Sequence, residues 1–154
     1  ALMHEGNLVL GVSCAPAMDE TAWAFLDGGA FTANGRLKVS DTSDIAQASV
    51  STGNIQSLAA SPRWNALGRV LARADRTRGY GDYYHYHRLA AGQLDAVIES
   101  DVNILDIAAL AVIVNEAGGV FTDLHGKPPG LETRSVLAAN ATLHAHLLDA
   151  LAGA

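Results

Sequence analysis

The stretch Asp95–Gly119, DAVIESDVNILDIAALAVIVNEAGG, constrains the fold more than any other part of the chain. Its first part is an apolar run that ends in the acid Glu99. Its second is a longer apolar segment that carries Asp106 in its first turn and stops at Gly118-Gly119. A short apolar run closed by polar residues reads as a strand, and a longer one with an acid at its start and glycine at its end reads as a helix. A strand feeding into an apolar helix implies packed layers of sheet and helix. It also sets two carboxylates at neighbouring element ends, on the rim where open α/β sheets bind ligands. Such a pair suits a divalent cation or a polyol. An acid in a first helical turn is also favoured by the helix dipole, so Asp106 as a simple cap stays open.

The flanking sequence divides in two. Leu8–Cys14 reads as a strand bounded by Gly6-Asn7 and Pro16, and Thr21–Leu26 as a second that ends at Asp27-Gly28-Gly29. Ala30–Thr32 follows, then the hairpin signal Asn34-Gly35 and a return strand over Leu37–Ser40. Residues 1–40 are therefore expected to form an antiparallel meander. The opening ALMHEGNLVLGV starts partway through a hairpin, which predicts a larger sheet completed by a missing N-terminal half. From Asp41 strands alternate with helices. Strands are expected over 47–52, 77–80, 94–98, 120–122 and 136–139, and helices over 63–73, 82–91, 105–117 and 143–151. Ser61 and Pro62 look like the cap and first turn of the first of these helices. Residues 41–154 thus form a mixed α/β portion, and the fold class is α/β, an α+β layered sandwich. An antiparallel meander is followed by a mixed sheet with helices on both faces.

Composition narrows the function. Hydrophobic residues at 49% and charged residues at 17% support an ordered core. A net charge of −6 leaves no excess of Lys and Arg to displace phosphate counterions, which argues against nucleic acid. No apolar run reaches the roughly 20 residues that span a bilayer, and no basic start resembles a signal peptide, so no membrane partner is expected. The single cysteine, Cys14, permits no intrachain disulfide; it reads as a small buried hydrophobe in a reducing, cytoplasmic setting.

The motifs resemble a known family. Leu105-Asp106-Ile107-Ala108-Ala109 followed by Glu116-Ala117-Gly118-Gly119 is similar to the second signature of the inositol monophosphatase family of magnesium-dependent phosphatases. That signature is close to Trp-Asp-x-Ala-Ala, with a helix ending Glu-Ala-Gly-Gly. The likeness continues through Gly11–Pro16, Gly28–Phe31, Asn34–Arg36, Ala90–Gly92 with Asp95, Thr122–Gly126 and Ala138–Asn140, in the same order along nearly the whole chain. It implies that Asp106 is a ligand of magnesium (Mg2+), the expected cofactor. It also implies that Glu99, seven residues earlier, hydrogen-bonds the substrate's polar body. Leu105 stands where the family has tryptophan, a departure that can still fill an apolar pocket but alters the packing behind Asp106.

Gly81-Asp82-Tyr83 looks like the histidinol-phosphate phosphatase branch, where inositol phosphatases carry Gly-Ser-Ala or Gly-Thr-Ala. A carboxylate at Asp82 would pair with the ammonium or imidazole of histidinol phosphate. Its position also fits an N-cap of the following helix. His85 and His87 form a His-x-His that would suggest zinc on a strand. On the expected helix the two diverge by about 200°, and a surface or partly buried aromatic cluster is expected instead. Arg76, Arg78 and Arg88 could reach a phosphate, although structural ion pairs are the commoner use. His125, His144 and His146 suggest no chemistry.

The family's Gly-Glu-Glu glutamate and Asp-Pro-Ile-Asp-Gly-Thr segment, which supply further metal ligands and the phosphate-binding helix N-terminus, do not occur here. In the family, Mg2+ ions activate water, neutralise the phosphoryl oxygens and stabilise the leaving alkoxide. No catalytic residue is therefore expected in this chain, and alone it is expected to be inactive. The expected function is that of the C-terminal portion of a phosphomonoesterase acting on a small phosphorylated metabolite, histidinol phosphate first. Inositol-1-phosphate is the alternative, as is a non-catalytic half-protein serving assembly. The expected partner is a second copy or a complementary N-terminal half.

Overall fold

The computed structural model describes residues 1–152. Its first sheet is the expected meander, β1 (Leu2–His4), β2 (Asn7–Ala15), β3 (Glu20–Phe25), β4 (Gly29–Thr32) and β5 (Gly35–Arg36), each strand antiparallel to the one before. The second half builds β6 (Ser49–Gly53), α1 (Ile55–Ala59), α2 (Trp64–Arg73), β7 (Arg76–Arg78), α3 (Asp82–Ala90) and β8 (Ala96–Ser100). After these come α4 (Ile104–Glu116), β9 (Gly119–Thr122), β10 (Ser135–Asn140) and α5 (Ala141–Ala152). Its sheet runs β7-β6-β8-β10-β9, with β6 parallel to β7 and β8 and with β10 antiparallel to β8 and β9.

Strand alternation sorts the core into two clusters. Ala96 and Ile98 of β8, with Leu137 and Ala139 of β10, pack against Leu67 and Val70 of α2 and Leu143, Leu147 and Leu151 of α5. Val97, Val136 and Ala138 face the other way, onto α3 and α4, whose far sides meet Ala22, Ala24 and Ala30 of the first sheet. The layers are therefore sheet, α3–α4, sheet, α2–α5. This is the layered α/β class expected, with helices on both faces of the mixed sheet.

The first sheet places its small residues inward. A Cβ on Gly11 would collide with the Ala109 carbonyl, so α4 lies directly on β2. The large residues Leu10, Val12, Trp23 and Phe25 are exposed on the opposite face. Cys14 shares their parity and is exposed, its Sγ accepting from Thr21 Oγ1 at 3.3 Å; the expectation of a buried cysteine was wrong because alternation turns it outward.

Residues of the family-like motifs tie the layers together. Glu116, at the end of α4, accepts the Asp27 N–H at 3.0 Å and the Gly29 N–H at 2.8 Å, clamping the β3–β4 turn. Asp95 accepts from Ser40 Oγ at 2.5 Å and from the Ser49 N–H at 2.7 Å. The expected return strand over 37–40 is cut short. Leu37 still donates to the Ala30 carbonyl, but Val39 donates to the Ala117 carbonyl at 3.0 Å, satisfying a free end of α4 rather than the sheet.

Two further local expectations differ. Arg63, not Ser61, occupies the cap position of α2, and Ser61 Oγ donates back to the Leu58 carbonyl at 2.7 Å, closing α1. The five-residue α1 itself was not expected, because so short a helix displays no period. Among the described residues no helix is long and apolar enough to cross a membrane.

Candidate functional site

Beyond β8 the chain turns through Asp101, in the left-handed region at φ +58, and enters α4 through Asn103. Asn103 Oδ1 accepts the Leu105 N–H at 2.9 Å. Asp106 Oδ2 in turn accepts the Asn103 N–H at 3.2 Å and the Asn103 side-chain amide at 2.5 Å. This capping box satisfies amides the helix leaves unpaired at its start. The capping role weighed for Asp106 is thus real, but it uses only Oδ2. The carboxylate is exposed, and its hydrogen bonds among the described residues go to Asn103. Leu105 is 91% exposed and lies on the wall of the cleft described below rather than packed behind Asp106.

Asp82 opens α3 at φ +53. Gly81 is the cap residue and, among the described residues, no side chain caps this helix, so the capping alternative for Asp82 is not what the structure shows. Its exposed carboxylate accepts no hydrogen bond among the described residues. A non-glycine residue in the left-handed region is uncommon, and such residues concentrate at sites of function.

Asp82, Glu99 and Asp106 line one cleft of about 330 Å³, together with Tyr83, Tyr86 and Asp101. The structure thus brings together all three residues nominated from sequence and adds a fourth acid. Asp101 was missed because a lone aspartate in a turn gives no periodic signal. Among the described residues no Lys, Arg or His lines the cleft.

Glu99 is the buried member, 6% exposed. It follows Val97 on the α3 side of β8, which sends its side chain into the helical layer. Its Oε2 accepts from the Tyr86 hydroxyl at 2.5 Å and lies 3.2 Å from His85 Nε2. Burial and the adjacent Glu99 charge push the Tyr86 phenol well above its ordinary range, which keeps it a donor.

The two histidines of His-x-His diverge as the helical reading requires, but neither is at the surface. His85 (0% exposed) turns to the second sheet and His87 (2% exposed) to the first. His87 Nδ1 lies 2.7 Å from Glu20 Oε1 and its Nε2 2.9 Å from Ser13 Oγ, while Arg88 pairs with the same glutamate at 2.6 Å. Burial pushes the Glu20 carboxyl up, but the hydrogen bonds and charges of His87 and Arg88 outweigh it and hold the group below its usual range. Burial pulls the His87 imidazole down despite the bond to Glu20. Arg88 is accordingly a structural ion pair. Both histidines touch aromatic rings, so an aromatic cluster exists, but polar partners orient it. The sequence could not reveal these partners, since Ser51, Glu99, Ser13 and Glu20 lie on other elements.

A model of the inositol monophosphatase family matches residues 1–153. The chain belongs to the inositol monophosphatase family. It is 37% identical to a histidinol-phosphatase of Streptomyces coelicolor, over 93% of this chain and 55% of that protein. It is 36% identical to a histidinol-phosphatase of Mycobacterium tuberculosis, over 98% of this chain and 60% of that protein. The extragenic suppressor protein suhB from Bartonella henselae superposes with a TM-score of 0.85 at 29% identity, over 94% of this chain and 57% of that one. The chain therefore spans little more than half the length of the relatives it matches.

Family membership implies magnesium. Asp106 Oδ1, outside the capping box, suits one position of a hard cation that prefers carboxylate and water oxygens. Among the described residues, however, no three acidic, histidine or cysteine side chains are grouped to hold a metal.

Proposed function

We propose that this chain is the C-terminal part of a magnesium-dependent phosphomonoesterase whose substrate is a small phosphorylated alcohol with a cationic end, histidinol phosphate first. The observation that carries this is the cleft wall, which among the described residues has four carboxylates and no basic side chain. Such a wall attracts a metal ion or an ammonium and repels a bare phosphate, so the phosphate is held by polypeptide outside these residues. Asp106 contributes one oxygen to the metal, Glu99 binds the substrate's polar body, and Asp82, free of any capping bond, faces its cationic end. Inositol-1-phosphate fits less well, because a neutral polyol gives Asp82 nothing to pair with.

The test is to combine the chain with an N-terminal half from a close relative and measure phosphate release with Mg2+ from histidinol phosphate and inositol-1-phosphate. Faster release from the first is expected. A folded complex that releases neither would overturn the reading.

A second reading, assembly, is favoured by the apolar outer face of Leu10, Val12, Trp23 and Phe25. An exposed patch of this kind on a sheet marks an interaction surface. Its occupant under this reading is the complementary N-terminal half, given that the relatives are longer by roughly the length of such a half. Light scattering after size exclusion separates three outcomes. A one-to-one complex supports this occupant, whereas a homodimer replaces it with a second copy. A monomer that ignores the added half removes the reading.

A further inference from the structure

Behind the cleft lies a chain of buried polar groups that neither the metal nor the phosphate role requires. The Tyr80 N–H lies 3.2 Å from Ser51 Oγ, which it supplies with a donor. Ser51 Oγ is 3.3 Å from His85 Nδ1, and His85 Nε2 is 3.2 Å from Glu99 Oε2, which also accepts from Tyr86. Ser51 and His85 are both fully buried.

The order of donors follows from chemistry. A carboxylate only accepts, so the imidazole hydrogen sits on Nε2, and the Ser51 hydroxyl hydrogen is free to serve Nδ1. Two donors then converge on Oε2, whereas Oε1 accepts no hydrogen bond among the described residues. Oε1 lies against Gly53, where a Cβ would overlap it, so the absence of a side chain at Gly53 lets the carboxylate keep this rotation.

We propose that His85, braced by Ser51, is the positioning residue for Glu99: it closes one carboxylate oxygen and leaves the other to receive a hydroxyl or ammonium donor of the substrate. The inference rests on the phosphatase reading above, since Glu99 must meet substrate for its orientation to matter. His85 touches no substrate itself. A buried carboxylate held by fixed donors loses little freedom on binding, which is how a supporting residue adds affinity without contact.

The experiment uses the reconstituted two-part enzyme with two substrates, histidinol phosphate and phenyl phosphate, which has no donor beyond its phosphate. His85→Leu is expected to raise KM for histidinol phosphate about ten-fold with kcat little changed, and to leave phenyl phosphate unaffected. His85→Gln, whose amide can still donate to Oε2, should recover most of the loss. Because His85 is buried and the leucine variant can fail to fold, Gly53→Ala supplies an independent route. A Cβ there would overlap Oε1, Cδ and Cγ of Glu99, so it shifts the whole carboxylate off its His85 and Tyr86 donors without changing the histidine, and it should give the same selective rise in KM. An equal loss on both substrates, or no loss in either variant, would overturn the inference while leaving the phosphatase reading intact. Absence of phosphate release from every substrate by the unmutated enzyme would overturn that reading instead, and this inference with it.

Discussion

Asp82 and Asp106 are both acids in a first helical turn, yet the structure uses them differently. Asp106 spends one oxygen on its helix, whereas Asp82 spends none and sits at φ +53. Asp106→Ala is therefore expected to do two separable things. It should abolish phosphate release by the reconstituted enzyme, and it should cost the chain about 1 kcal/mol in urea unfolding through the lost cap. Asp82→Asn keeps a residue tolerant of the left-handed region and should leave stability unchanged. In kinetic assays it should raise KM for histidinol phosphate about ten-fold and leave inositol-1-phosphate unaffected. The acids Glu99 and Asp106 were legible because a strand end and a helix start are both marked in the sequence. The state of Asp82 was not, because a backbone angle decides whether that position caps.

Among the elements, α4 sets a tight constraint on the first sheet, since its Ala109 carbonyl leaves no room above Gly11 of β2. Gly11→Ala must push helix and sheet apart and is expected to destabilise the chain by about 3 kcal/mol, read as a lower urea midpoint. α3 and α5 make stability depend on pH. Burial lowers the His144 imidazole, which lies 2.8 Å from Thr122 Oγ1 on β9, and it lowers His87 on α3 as well. A histidine whose pKa is lower folded than unfolded contributes its full stability above the ordinary value near 6.5. That contribution is lost as pH falls from there through the lowered folded value. The thermal midpoint should thus drop as pH falls below about 6.5, and His144→Gln should flatten that dependence. The helix α4 and strands β2, β3, β8 and β10 were readable from apolar runs and glycine stops. The short α1 and the loss of the 37–40 strand were not, because one has no period and the other depends on a carbonyl at the end of a helix far along the chain.

At the scale of the whole molecule, the first sheet carries small residues inward and large ones outward, so its exposed face presents Leu10, Val12, Trp23 and Phe25. If a complementary half covers that face, replacing Trp23 and Phe25 together by serine should leave the chain folded by circular dichroism. The same change should weaken its complex with that half at least ten-fold by calorimetry, because each aromatic carries about 1.5–3 kcal/mol of burial. The layers also explain why the cleft is one-sided. Its four acids come from the end of β8, the turn after it and the starts of α3 and α4, which open on a common rim.

By itself the sequence determined the layered α/β class, the meander and the rim where Glu99 meets Asp106, because apolar periodicity and turn residues are local and each was read from a few neighbours. The tertiary structure alone decided that Cys14 faces outward, that Asp101 joins the cleft, and that His85 and His87 serve opposite sheets. Those outcomes depend on side chains from distant elements meeting across a packed layer, and no local pattern encodes which partner arrives.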